Sequence, residues 1–274
     1  MVKCKICDGL TEKIFQKKVL NKHIVSYHKC NTCGFCQTDE PYWLPEAYEN
    51  VITNLDIGLI NRNIELKKVV TRILDGFFPE SKIMLDYGGG YGMFVRMMRD
   101  VGYNFYRQDV YCENLFAKHF DVEDIDTIKF DVLTAFEVFE HLPNPLEEIE
   151  KIFAISDTII FSTVLSPTQK SELESWWYLS PLTGQHVAFY SMKSLEFIAK
   201  KFGKKLYSNK INLHVLTDKE IDISTVQKVF STPKQTFFQK LKSKLGLTEK
   251  SKSSRDSLLQ KDYHFIESKL LGIS

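Results

Sequence analysis

One short run does most to limit what this chain can be: Leu85-Asp86-Tyr87-Gly88-Gly89-Gly90-Tyr91-Gly92. Its first residues close the stretch Ile83 to Asp86, which reads as a short buried strand, and it precedes Phe94 to Met98, which reads as helix. Four glycines within five positions are denser than a plain strand-to-helix turn needs. Such a loop lets the backbone turn tightly and lets a ligand approach the main chain. A dinucleotide fingerprint is excluded, because G-x-G-x-x-G counted from Gly88 puts Met93 where the third glycine belongs. A P-loop is excluded as well, since no Gly-Lys-Ser/Thr follows.

Strand-like and helical runs alternate around this loop. Ile57 to Phe78 carries apolar residues at helical spacing and stops at Pro79. Asn104 to Val110, Phe130 to Phe136 and Thr158 to Thr163 read as strands, with a helix near Leu146 to Phe153. Ser194 to Phe202 reads as helix, followed by strands Lys205 to Ser208 and Leu213 to Leu216. This order predicts an α/β fold, a mostly parallel sheet with helices on both faces.

The glycine run, with Asp86 two residues before it, resembles the first motif of class I S-adenosylmethionine-dependent methyltransferases, a Rossmann-like family. The resemblance implies that Gly88, Gly89, Gly90 and Gly92 wrap the methionine part of the cofactor. It also implies that Asp86 lies near the cofactor's amino group. The family places a second acid at the end of the next strand. Here that is Asp109, about 20 residues past the glycines, where its oxygens can accept from the ribose hydroxyls. Glu113 is the competing acid.

A second segment, Glu137-Val138-Phe139-Glu140-His141-Leu142-Pro143-Asn144-Pro145, resembles a run found in methyltransferases of ubiquinone biosynthesis and sugar modification. Glu137 and His141 stand out as polar residues in an apolar stretch, a placement that needs a reason. One reason is contact with cofactor or acceptor; the other is capping and packing of the loop. Further on, Trp176-Trp177-Tyr178 is followed by Gly184-Gln185-His186-Val187 and Phe189-Tyr190-Ser191. This string resembles one in bacterial methyltransferases linked to surface-polysaccharide synthesis. The resemblance implies a sugar-linked small-molecule acceptor, with His186 as a general base near neutral pH. The alternative is that the aromatics are core and His186 is structural.

Cysteines crowd the N-terminus. Cys4-Lys5-Ile6-Cys7 and Cys30-Asn31-Thr32-Cys33 form two C-x-x-C knuckles, a pattern that predicts a closed, structural Zn2+ site. Cys36 and His28 are alternative ligands. The knuckles resemble the zinc-binding N-terminus of sugar C-methyltransferases; those enzymes carry a large further domain for which this chain is too short, which favours an oxygen acceptor. The expected division is 1–40 for the zinc module, 41–217 for the methyltransferase domain and 218–274 for a mostly helical extension. Within that extension Phe237 to Leu247 reads as a basic amphipathic helix.

A formal net charge of +1 argues against nucleic acid, so an RNA methyltransferase gripping its substrate through the zinc knuckles is the weaker reading. A non-catalytic scaffold that keeps the fold is the third. No apolar run is long enough to span a bilayer and no secretory signal opens the chain, so a cytoplasmic location is expected.

Overall fold

A computed structural model describes residues 2–49, 55–127, 129–231 and 255–271. The expected helix at Phe237 to Leu247 lies outside them. Among the described residues no helix is long and apolar enough to cross a membrane.

The centre is a six-stranded sheet. Its strands are β4 (Met84–Tyr87), β5 (Phe105–Gln108), β6 (Val132–Ala135), β7 (Thr158–Ser162), β9 (Lys205–Ser208) and β10 (Leu213–Thr217), in the order β5-β4-β6-β7-β10-β9. β5, β4, β6 and β7 run parallel, while β10 runs antiparallel to both β7 and β9. Adjacent apolar residues point to opposite faces, as strand geometry requires. Met84, Val132, Ile160 and Val215 join one core with helix α2 (Leu59–Phe77), helix α3 (Met93–Arg99) and helix α7 (Ile223–Phe230). Their neighbours Leu85, Leu133, Ile159 and Leu216 join a second core with α4 (Pro145–Ile155) and α6 (Met192–Lys201). Helices therefore cover both faces, as the alternating pattern predicted.

The chain leaves β4 for β5 on one side and returns to β6 on the other. The carboxyl end of β4 is thus the point where strand order reverses, the place where open α/β sheets bind ligands. The glycine run begins at that point.

The cysteine-rich segment is more structured than its polar composition suggested. It forms a long hairpin of β1 (Thr11–Val19) and β2 (His23–Cys30), with β3 (Cys36–Thr38) beside it. The fourth strand of this sheet is β8 (Ala188–Phe189), from far along the chain. The hairpin buries Phe15, Val25 and Tyr27 against Leu173, Tyr178, Leu179 and Phe189, so its core is borrowed from a distant segment. Further ties are the Trp43 indole donating to the Gly184 carbonyl at 2.8 Å and Ser191 Oγ donating to the Cys33 carbonyl at 2.5 Å. Short helices α1 (Leu44–Ala47) and α5 (Lys170–Glu174) flank this region.

At the other end, helix α8 (Leu259–Leu271) docks through Asp262, which accepts from Arg99 Nε and Nη2 at 2.8 and 2.7 Å. Arg99 also donates to the Phe105 carbonyl, and both members of the pair are buried. Buried charges that are paired and hydrogen-bonded in this way tolerate removal from water.

Candidate active site

A cleft of about 960 Å³ opens at the carboxyl ends of β4, β5 and β6. Asp86, Gly88, Gly89, Gly90, Asp109, Glu137, His141 and His186 all line it. Gly92 does not; it caps α3 in the left-handed region at φ 82°. Gly88, at φ 67°, packs where an added Cβ would sit 2.7 Å from Val138 Cγ2, so the loop passes directly under the β6 segment.

Asp86 is buried and accepts from Thr134 Oγ1 at 2.6 Å. Burial pushes its carboxyl up to about 7, and the nearby Asp109 charge adds to this against the Thr134 hydrogen bond. Asp109 is committed to the backbone. Its Oδ2 accepts from the Gly90 amide at 2.8 Å, and Oδ1 accepts from the Tyr111 and Cys112 amides at 2.8 and 2.7 Å. A carboxylate offers about four acceptor positions, so these bonds leave about one for a ligand. These backbone bonds occupy acceptor positions that the bidentate grip on both ribose hydroxyls expected from the sequence would use. Arg107 braces the same loop, donating to the Gly90 carbonyl at 2.6 Å and to Asp121 at 2.7 Å. Glu113 is exposed and faces Lys118 instead.

The opposite wall is acidic and imidazole-rich. Glu137 sits at φ 54°, an uncommon conformation for a non-glycine residue. Ser162 holds it there: the Glu137 amide donates to Ser162 Oγ at 2.9 Å, and that hydroxyl donates back to the Glu137 carboxylate at 2.8 Å. His141 and His186 approach edge to face, with ring centroids 4.9 Å apart. Burial, helped by the neighbouring His186, holds His141 well below its ordinary value, and burial lowers His186 too. Burial therefore favours the neutral form of both rings. His186 Nδ1 donates to the Tyr178 carbonyl at 2.7 Å, which leaves Nε2 with its lone pair. Tyr48 Oη pairs with His141 Nδ1 at 2.9 Å and its ring stacks on Tyr111 at 5.2 Å.

Sequence reasoning did not select Tyr48, Arg62, Tyr111 or Glu140. Tyr48, Arg62 and Tyr111 line the cleft but stand in no motif; only folding brings them there. Glu140 was signalled, since it directly precedes His141. It is fully buried, and burial together with the Glu137 charge pushes it up to about 8. Trp177 is 75 % exposed at the cleft rim, whereas Phe189 is core. His214, buried in β10 with Nε2 on the Thr163 carbonyl, is away from the cleft.

Cys4, Cys7, Cys30 and Cys33 converge in the N-terminal module. The Cys4–Cys33 and Cys7–Cys30 sulfurs are each 3.5 Å apart, and no disulfide joins them. Four thiolates about 2.3 Å from a tetrahedral ion lie about 3.8 Å from one another, so the cluster fits zinc. The Ile6 amide points at Cys4 Sγ, and the Thr32 and Cys33 amides at Cys30 Sγ, as thiolate ligands require. The two alternatives lie elsewhere. His28 bonds Asp39 at 2.7 Å, and Cys36 is buried in β3, where burial pushes its thiol up to about 12.

A mostly parallel α/β sheet with a glycine loop at its switch point, an acid in the strand that leads into that loop and a second acid at the next strand end is the arrangement of a Rossmann-like, S-adenosylmethionine-dependent methyltransferase. A methyltransferase-domain family model matches residues 60–209, more than half of the chain, and the chain belongs to that family. Among solved structures, the mitomycin 7-O-methyltransferase MmcR is 14 % identical with a TM-score of 0.42, over 64 % of this chain and 60 % of that one. This chain thus spans under two thirds of the MmcR length. The plantazolicin methyltransferase BpumL, solved with S-adenosylhomocysteine, is 11 % identical with a TM-score of 0.43, over 64 % of this chain and 94 % of that one. Magnesium protoporphyrin IX methyltransferase from Synechocystis PCC 6803 is 12 % identical with a TM-score of 0.39, over 64 % and 94 %. No curated protein matches the sequence.

Proposed function

We propose that the enzyme methylates a hydroxyl of a sugar or sugar-linked small molecule. The observation that carries this is the pair of imidazoles facing the glycine loop across one cleft. S-adenosylmethionine supplies an activated methyl group on sulfur, so the protein's task is alignment and removal of one proton. Asp86 and the amides of Gly88 to Gly90 hold the methionine end, and Asp109 takes one ribose hydroxyl. His186 Nε2 carries the lone pair that accepts the hydroxyl proton; His141 and Glu137 position the acceptor. The exposed rings of Trp177 and Tyr111 at the rim offer apolar faces for a sugar ring. In this reading residues 1–40 form a structural zinc module, 41–217 the catalytic domain and 218–274 an extension.

Calorimetric titration of zinc-replete protein with S-adenosylhomocysteine tests the cofactor half. Micromolar-range binding is expected, weakened about tenfold, or 1.4 kcal/mol, by Asp109→Ala. A folded protein that binds none would sink the reading.

The same titration has an expected pH dependence. Asp86 is half-protonated near pH 7 in the free enzyme, and the ligand's ammonium group favours its ionised form. Binding then releases a proton. Affinity should fall about tenfold per pH unit below 7 and level off above it. Equal affinities at pH 6 and pH 8 would remove Asp86 from the amino group.

A further inference from the structure

Among the described residues, Glu140 is a buried acid whose two carboxylate oxygens both lack a well-formed hydrogen bond. It has no exposed surface. The Tyr178 hydroxyl lies near enough to influence its charge but forms no well-aligned bond with it. Buried carboxylates are ordinarily paired, hydrogen-bonded or bound to metal. Protonation would let one carboxyl oxygen meet the Tyr178 hydroxyl and would leave the other still without a partner. The cation that bears on Glu140 among the described residues, Arg62, is already engaged by Asp56 through two hydrogen bonds of 2.8 and 2.7 Å. Glu137 adds a second carboxylate beside Glu140.

His141 and His186 converge on the same point. One ligand atom each from Glu140, His141 and His186 lies within 4.8 Å of the other two. The nitrogens that remain are aimed by outer contacts: His186 Nδ1–H by the Tyr178 carbonyl, and His141 Nδ1 by the Tyr48 hydroxyl. Metal-binding histidines are oriented in this manner, with the second ring nitrogen engaged elsewhere. Two imidazoles and one carboxylate with the remaining side open form a recurrent set for first-row divalent ions. Ligands about 2.1 Å from an ion are at most about 4.2 Å apart, so side-chain movement of under about an ångström closes the set.

We propose that Glu140, His141 and His186 bind one divalent cation, and that the hydroxyl acceptor of the methyl group completes its coordination. The acceptor half rests on the methyl-transfer reading above; the ion site does not. The cation would favour ionisation of the hydroxyl, whose proton leaves to solvent. The oxygen lone pair then forms the new bond to the methyl carbon while the carbon–sulfur bond breaks, its electrons returning to sulfur. With the ion bound, His186 Nε2 is a ligand in place of the base assigned to it above, and the ion acidifies the hydroxyl instead.

Mn2+ is a suitable probe because it is hard and avoids the thiolate cluster. Full-length protein carrying one Zn2+ per chain, enough for the thiolate cluster alone, is titrated with Mn2+ while the free-ion electron paramagnetic resonance signal is followed, and each variant is titrated with S-adenosylhomocysteine as a check of folding. One Mn2+ per chain is expected in the wild type, with affinity lowered tenfold or more in Glu140→Gln and in His186→Ala. Wild-type protein that binds the nucleoside but takes up no Mn2+ overturns the ion site, as does Mn2+ uptake that neither variant changes. Mn2+ uptake without nucleoside binding leaves the ion site standing and removes the methyltransferase reading instead.

Discussion

Replacing Cys33 with serine should cost the protein at least about 4 kcal/mol and lower its melting temperature by roughly 10 °C, with bound zinc lost in parallel. Structural zinc in small modules contributes apparent binding energy of about 10–16 kcal/mol, so a loss of this size is a conservative share. The reason lies in where the cluster sits. Cys4, Cys30 and Cys33 belong to the same buried core as Leu133, Phe139 and Phe161 of the central sheet. From Cys30 and Cys33 the chain runs directly into β3, which pairs with β8 through Cys36–Phe189 and Gln37–Ala188. His186 stands two residues before β8, and the Val187 amide is fixed on the Glu140 carbonyl at 2.8 Å. Loosening the cluster therefore loosens the imidazole wall. Methyl transfer should fall further than S-adenosylhomocysteine affinity, because the glycine loop hangs from β4 instead. Differential scanning calorimetry with metal analysis reads the first effect, and a paired activity and binding assay the second. A Cys33→Ser protein that melts within 2 °C of the wild type would show that the thiolates hold no structural ion.

What could be read from the sequence follows the range of the interactions involved. Periodicity located the strands and helices of the α/β domain to within a few residues, because each buries one face against its neighbours. The glycine loop, Asp86, Asp109, Glu137, His141 and the four cysteines were legible because their chemistry is written in short spacings. The hairpin Thr11–Val19 and His23–Cys30 was not, since the surface that covers it comes from Leu173 to Phe189. Tyr48 and Arg62 were missed for the same reason: a long-range approach, not a local pattern, brings them to the cleft. The backbone engagement of Asp109 was also invisible. It depends on the turn at Tyr111 and Cys112 folding back onto the carboxylate.

The largest effect on cofactor binding is expected from Gly92→Val: a loss of affinity for S-adenosylhomocysteine of a hundredfold or more, about 2.7 kcal/mol. Gly92 holds the left-handed conformation that starts α3, which a β-branched residue adopts only under strain of about 1–3 kcal/mol. Space is lacking as well. A Cβ there would lie 2.6 Å from Asn114 Oδ1 and 3.3 Å from the Ala117 amide. Asn114 cannot yield cheaply, because its amide group donates to the Ala117 carbonyl and to Asp121 while its oxygen accepts from the Ala117 amide. Asp121 in turn anchors Arg107, which holds the Gly90 carbonyl, so the disturbance reaches the cofactor loop through side chains as well as through the backbone. Gly90→Ala provides the contrast. Gly90 is also left-handed, at φ 53°, but an added Cβ meets nothing within 4 Å. Only the conformational term of about 1–2 kcal/mol then applies, some tenfold in affinity. Paired titrations of the two variants separate crowding at the start of α3 from the left-handed backbone itself. If Gly92→Val binds as well as Gly90→Ala, the Asn114 brace has no part in shaping the loop.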